Sequence, residues 1–225
     1  MNENNQVDLH LDFHNFDPEE IQTEQTINIV LVVDVSPSIQ GYEDELNAGL
    51  NEFYETMQKS HVAEQIMVST LTFNEKVKVV NGFQPILNIN QADFHGHGCA
   101  TALYDGTLAG LQNALKYRDD LKQSGVQVKT LLFVITDGMD NNSSNPPYMV
   151  KEIIGDLMKD EANMFTFDSI LFGVGQDDHY FTEAKEEMGI QHIATVGTTG
   201  PEIRKMINII SSSVSQVSNN QSVSF

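Results

Sequence analysis

The sequence predicts an α/β fold, a doubly wound and mostly parallel sheet with one antiparallel edge strand and helices on both faces. Two observations carry the prediction. Apolar runs rich in β-branched residues alternate along the chain with segments whose apolar residues recur every three or four positions. That switching between periods is the pattern of β-α units wound into a parallel sheet. In one place two strand-like runs follow each other with no room for a crossover helix, so one antiparallel connection is expected.

Taken in order, "INIVLVVD" (27–34) is an apolar run suited to a central strand covered on both faces. Leu46, Leu50, Phe53 and Met57 form one stripe of the next helix. The runs "QIMVSTLTF" (65–73) and "KVKVVNGFQ" (76–84) are separated by Asn74 and Glu75 alone and read as an edge hairpin. A helix is expected from Thr101 to about Leu121, with Leu103, Thr107, Gly110, Leu111 and Ala114 on one face, followed by the strand "VKTLLFVITDG" (128–138). A helix around 147–160, a strand at 165–175, a short helix near 178–188 and a strand at 190–196 continue the alternation. The last helix opens at Gly200 and Pro201, proline being favoured in a first turn, and carries Ile203, Ile207, Ile210, Val214 and Val217.

These elements define a domain over 26–212. Residues 1–25 read as an arm or added strand, because Val7, Leu9, Leu11 and Phe13 alternate with Asp8, His10, Asp12 and His14. Residues 213–225 are serine-rich and read as a tail.

Composition narrows the function. The 225 residues include 32 acidic and 12 basic side chains, a net charge of −20, which repels phosphate backbones and anionic membranes. Neither nucleic acid nor a membrane is an expected partner; a cation or a basic protein surface is. Cys99 is the only cysteine, so no intramolecular disulfide forms, and a chain of this size buries enough surface to fold without one. No apolar run approaches the roughly 20 residues of a membrane helix, and "MNENNQVDLH" lacks the features of a signal peptide. The expectation is a soluble, cytoplasmic protein.

Candidate site residues gather at predicted strand ends. In an open parallel sheet, ligands bind outside the carboxyl ends of the strands where the strand order reverses. The first strand ends in "DVSPS", with Asp34, Ser36 and Ser38; the fourth ends in "TDG", with Asp137; the loop "HGHGCATALYDG" delivers Thr101 to a helix start. Two carboxylates and three hydroxyls make a hard-oxygen set suited to Mg²⁺ or Mn²⁺, with Ca²⁺ as a further candidate. The bland reading stays open beside it: serine caps helices, and Asp-Gly forms turns. Tyr104, Met139 and Asp140 are candidates for the rim that meets a partner. His95, His97 and Cys99 alternate in a way that invites a zinc reading, although flanking glycines equally suit a flexible loop. "DGMDNN" (137–142) lacks the distal glutamate of an EF-hand and reads as a solvated loop.

D-x-S-x-S after a first strand, a threonine opening a central helix and an aspartate in T-D-G resemble the von Willebrand factor A-type (vWA) domain and its metal-ion-dependent adhesion site (MIDAS). The resemblance spans about residues 26 to 210. It implies a Rossmann-like sheet, Ser36, Ser38 and Thr101 as hydroxyl ligands, and Asp34 and Asp137 as carboxylates acting directly or through water. It also implies a protein partner whose acidic side chain completes the coordination. Pro37 and Ala100 stand where the family more often has glycine. The serine-studded ending is most similar to bacterial or phage members of the tellurite-resistance-associated type, linked to stress and defence assemblies.

Catalysis is disfavoured. Ser36 stands where the phosphatases of similar topology carry a second aspartate, and neither a P-loop nor a G-x-S-x-G elbow occurs. The remaining alternative is a scaffold or phage-particle component with a vestigial metal site, in which the edge strand or the amino-terminal arm makes the contacts.

Overall fold

The computed structural model describes residues 17, 21, 23–159, 166–175, 178–219 and 221. The alternating segment Val7 to His14, expected as an added strand or arm, lies outside them. Six strands form one sheet: β1 (Gln25–Asp34), β2 (Ile66–Phe73), β3 (Val77–Pro85), β4 (Gln127–Thr136), β5 (Phe167–Val174) and β6 (His192–Val196). Their spatial order is β3-β2-β1-β4-β5-β6. Every pairing is parallel except β2 with β3, so the expected fold class and edge hairpin are both observed.

Among the described residues five α-helices cover the sheet: α1 (Glu43–Gln58), α2 (Leu103–Gln123), α3 (Tyr148–Met158), α4 (Asp178–Met188) and α5 (Gly200–Ser218). Odd-numbered residues of β1 from Ile27 to Val33 pack with α1 and α5, whereas Val30 and Val32 pack with α2, α3 and α4. That double coverage explains why the strand reads as a continuous apolar run. The order reverses between β1 and β4, whose carboxyl ends part to open a crevice there.

Three expected boundaries shift. The helix expected from Thr101 begins at Leu103, because the Thr101 carbonyl accepts from the backbone N–H groups of Asn141 and Asn142 at 3.0 and 3.2 Å instead of joining a helical turn. The strand expected through Gly138 ends at Thr136. The tail expected from 213 is helical to Ser218: Ser213, Val214 and Val217 are buried, so the apolar stripe of α5 outruns the serine-rich composition. Ser212, Ser213, Ser215 and Ser218 donate to carbonyls three or four residues back, which satisfies their hydroxyls inside the helix.

Close approach of α2 to the sheet depends on Gly110. A Cβ there would lie 2.5 Å from Val32 Cγ2, closer than real contacts allow, and Val32 is fully buried. Gly110→Ala is therefore expected to lower unfolding free energy by about 1–3 kcal/mol through overpacking, despite alanine's better helix propensity. Urea denaturation of the two proteins checks this; an unchanged or raised midpoint would contradict it.

Candidate metal centre

The crevice between β1 and β4 brings the predicted strand-end residues together. Asp34, the last residue of β1, is buried; its Oδ1 accepts from the Ser36 N–H at 2.8 Å and its Oδ2 from the Thr136 hydroxyl at 2.7 Å. Pro37 starts a 3-10 turn over Pro37–Gly41, with Ser36 at its cap position. Ser36 makes no side-chain cap bond there. Its hydroxyl lies instead 2.9 Å from that of Ser38, and the Ser38 hydroxyl donates to Asp137 Oδ1 at 2.7 Å. The helix-capping reading of Ser36 is thus set aside: the 3-10 turn folds both serines back over the sheet crevice toward Asp137.

Thr101 arrives from the other side. A Cβ on Gly138 would sit 3.8 Å from Thr101 Oγ1 and 4.0 Å from Ser38 Oγ, so glycine leaves clear a space onto which both hydroxyls open. The Thr101 N–H donates to Asn141 Oδ1 at 2.9 Å, and its hydroxyl has no hydrogen bond among the described residues. Tyr42 completes the surroundings. Its buried hydroxyl makes no hydrogen bond of normal geometry, yet it faces the site: after burial, the charges of Asp137 and Asp34 are what push the phenol far up.

Burial lifts the Asp34 carboxyl from its ordinary 3.8 to about 6, against the lowering effect of the bonds from Thr136 and Ser36. Asp137 is also raised, again by burial first, with the Ser38 bond opposing it. Two carboxylates crowded into a low-dielectric crevice, each accepting one hydroxyl proton and with oxygen lone pairs left over, fit a hard divalent cation. The donor set and the space above Gly138 agree on this point. Among the described residues no three His, Cys, Asp or Glu side chains converge; the hydroxyl donors replace them.

The loop expected to be flexible is fixed by a ladder that sequence reasoning missed. Glu43, Asn47 and Asn51 are spaced by four along one face of α1. Glu43 accepts from the Gly96 N–H at 2.7 Å, Asn47 pairs with both backbone groups of Phe94 at 2.8 Å, and Asn51 pairs with those of Ala92 at 2.6 and 3.2 Å. Four helical residues rise about 6 Å, and two extended residues about 6.6 Å, so the two repeats stay in step. Farther along, the His97 N–H donates to the Val35 carbonyl at 2.9 Å and the Ala102 N–H to the Asn74 carbonyl at 2.7 Å. The zinc reading fails on the same segment: His95 turns to Glu43 and Asp93, His97 bonds the His95 carbonyl, and Cys99 is exposed.

On the opposite rim, the "solvated" loop after Asp137 is latched. The buried Asp105 accepts from the backbone N–H groups of Ser144 and Asn145 and from the Asn145 amide at 2.8–2.9 Å. Asp140 accepts from the Ser143 hydroxyl at 2.5 Å, and its N–H donates to the Tyr180 hydroxyl at 2.7 Å. Of the three rim candidates, Met139 is 58% exposed. The Tyr104 hydroxyl is committed to Glu187 at 2.9 Å, and Asp140 is committed to Ser143, to the Tyr180 hydroxyl and to the Tyr104 N–H. The missed residues had weak signals: Thr136 stands inside T-D-G, and Asp105 sits in the first turn of α2.

No protein-family model and no curated protein matches the chain. Solved structures do. The open form of the pilus adhesin SpaC from Lactobacillus rhamnosus GG is similar at a TM-score of 0.60 and 15% identity over 87% of this chain and 30% of that one. Proximal thread matrix protein 1 from the mussel byssus, in a structure described as having a zinc-occupied MIDAS motif, gives 0.57 and 16% over 83% and 47%. The ArnB paralog VWA2 from Sulfolobus acidocaldarius gives 0.50 and 11% over 82% and 45%. The chain thus spans about a third to a half of these structures, and at such identities the likeness is one of fold.

Two outcomes follow for the site. A folded-state carboxyl pKa above its unfolded value makes metal-free stability fall as pH rises from 3.8 to about 6. Asp34→Asn removes that charge, and Thr136 can turn its proton to the Gly138 carbonyl, 3.3 Å away. In chelated protein at neutral pH this variant is expected to gain about 1–3 kcal/mol, the gain shrinking as pH falls through about 6; urea midpoints across pH read it, and a loss at neutral pH would count against the assignment. Asn47→Ala cuts two backbone bonds of the loop, and a stability loss of about 1–3 kcal/mol is expected in the same assay.

Proposed function

We propose that this chain, which has the vWA-type fold, is a divalent-metal-dependent protein-binding module. Asp34, Ser36, Ser38, Thr101 and Asp137 would hold Mg²⁺ or Mn²⁺, with Ca²⁺ a further candidate, and a partner would bind through an acidic side chain. The bound ion would supply a positive centre with a coordination position left for a carboxylate. One observation carries the reading: the Ser38 hydroxyl is folded onto Asp137, with the Ser36 hydroxyl against it and the buried Asp34 carboxylate at the end of β1.

The chain's own residues prepare this contact. Ser38 donates its proton to Asp137, which directs its lone pairs away from that carboxylate. Asp34 is oriented from both sides, so its position does not depend on a partner. Met139, exposed beside Gly138, offers an apolar contact next to the incoming acid. A chain of net charge −20 repels an acidic ligand, and a divalent ion reverses that sign locally.

The reading is one of binding rather than catalysis. A cytoplasmic setting, in keeping with the free exposed Cys99, and a place in a bacterial or phage stress or defence assembly belong to this proposal. Among the described residues no helix is long and apolar enough to cross a membrane.

Calorimetric titration of Mg²⁺ and Mn²⁺ into chelated protein tests the reading. Saturable binding is expected for the wild type and its loss for Ser38→Ala combined with Asp137→Ala. Capture of a carboxylate-bearing partner should then require the ion. A wild type that binds neither ion would overturn the metal reading and leave the scaffold alternative in front.

A further inference from the structure

A second cavity, of about 530 Å³, opens on the sheet face beside the edge strand, between β3 and the segment that the α1 ladder holds. Its size is that of a small-molecule site. Its walls are preformed, because Ala92, Phe94 and Gly96 are fixed by the side chains of Asn51, Asn47 and Glu43. The metal centre does not use it.

What lines the cavity is polar and uncommitted. Thr72, Gln84, Asn90 and Gln91 line it, and their side chains have no hydrogen bonds among the described residues. His97 donates from Nδ1 to the His95 carbonyl at 2.8 Å, since a carbonyl can only accept, so in the neutral ring the Nε2 lone pair is free. The amides offer a donor and an acceptor each. Val80, 49% exposed, adds an apolar patch.

The charges in the lining select further. Asp93 meets His95 at 3.1 Å, and the same His95 meets Glu43 at 3.5 Å, so this one imidazole stands between two carboxylates. Lys78 has no ion-pair partner among the described residues, although the chain has 32 acidic side chains. A ligand with many hydroxyls suits paired donors and acceptors. One unanswered ammonium suits one anionic group, and the acidic chain disfavours a ligand of higher charge.

We propose that this cleft binds a sugar acid: a polyhydroxylated ring bearing a single carboxylate, the carboxylate on Lys78 and the hydroxyls on the Gln84, Asn90 and Gln91 amides and His97. The inference does not rest on the metal reading, and its test uses chelated protein so that failure of either leaves the other standing.

The test is a titration of glucuronate into the ¹⁵N-labelled full chain, following the side-chain amide signals of Gln84, Asn90 and Gln91, with glucose and acetate as controls. Saturable shifts of those signals are expected with glucuronate, and affinities at least about tenfold weaker for glucose and for acetate. Lys78→Met, on an exposed edge position where the fold does not depend on it, should weaken glucuronate about tenfold, and Gln84→Ala should weaken it while leaving the backbone spectrum otherwise unchanged. Absent saturation, shifts confined to other regions, equal binding of glucose or acetate, or an unaltered affinity in Lys78→Met would each overturn the proposal.

Discussion

Everything at the crevice is organised around one unfavourable placement, the Asp34 carboxylate buried at the end of the central strand. An isolated charge in that position costs several kcal/mol, and two hydrogen bonds from Ser36 and Thr136 offset only part of it, which is why the carboxyl is raised to about 6. Asp137, also raised by burial, adds like charge nearby. The hydrogen bonds at the crevice leave the burial of both carboxylates only partly offset. A divalent cation is the group that would turn the repulsion into attraction.

The fold supplies the rigidity such a site needs. β1 and β4 set the spacing of the two aspartates, and Gly110 lets α2 close onto β1 so that its amino end reaches the same crevice. Thr101 is then clamped from two directions: the α1 ladder and the hairpin tip, where Asn74 donates to the His97 carbonyl and Glu75 accepts from the Cys99 N–H, fix the chain before it, and Asn141 and Asn142 fix its backbone. These are mostly bonds between side chains and backbone, so they determine where the loop lies without lending it regular structure. The same ladder shapes the wall of the second cleft, and one helix face therefore borders both openings.

The sheet, its order at the crevice and the strand-end residues were legible in the sequence because parallel strands and helices impress different periods on it, and because Asp34 and Asp137 interrupt apolar runs where a sheet has its binding edge. The loops were not legible. Nothing in the spacing of Asn47 and Asn51 announces that they grip Phe94 and Ala92, since residues exposed on a helix face read as solvated until the segment that covers them is known. The glycines in "HGHGC" read as flexibility, yet the segment is held along its length. The serine-rich ending read as a tail by composition, but Val214 and Val217 keep the helical period and are buried.

The central claim is that these five residues make one cation site at the β1–β4 crevice. Titrating Mn²⁺ into the ¹⁵N-labelled protein and mapping paramagnetic broadening tests it most directly, since the ion quenches signals according to distance. The account predicts broadening centred on Ser36, Ser38, Thr101 and Gly138, removed by competing Mg²⁺. Broadening centred elsewhere on the acidic surface, or spread evenly over it, would contradict the account.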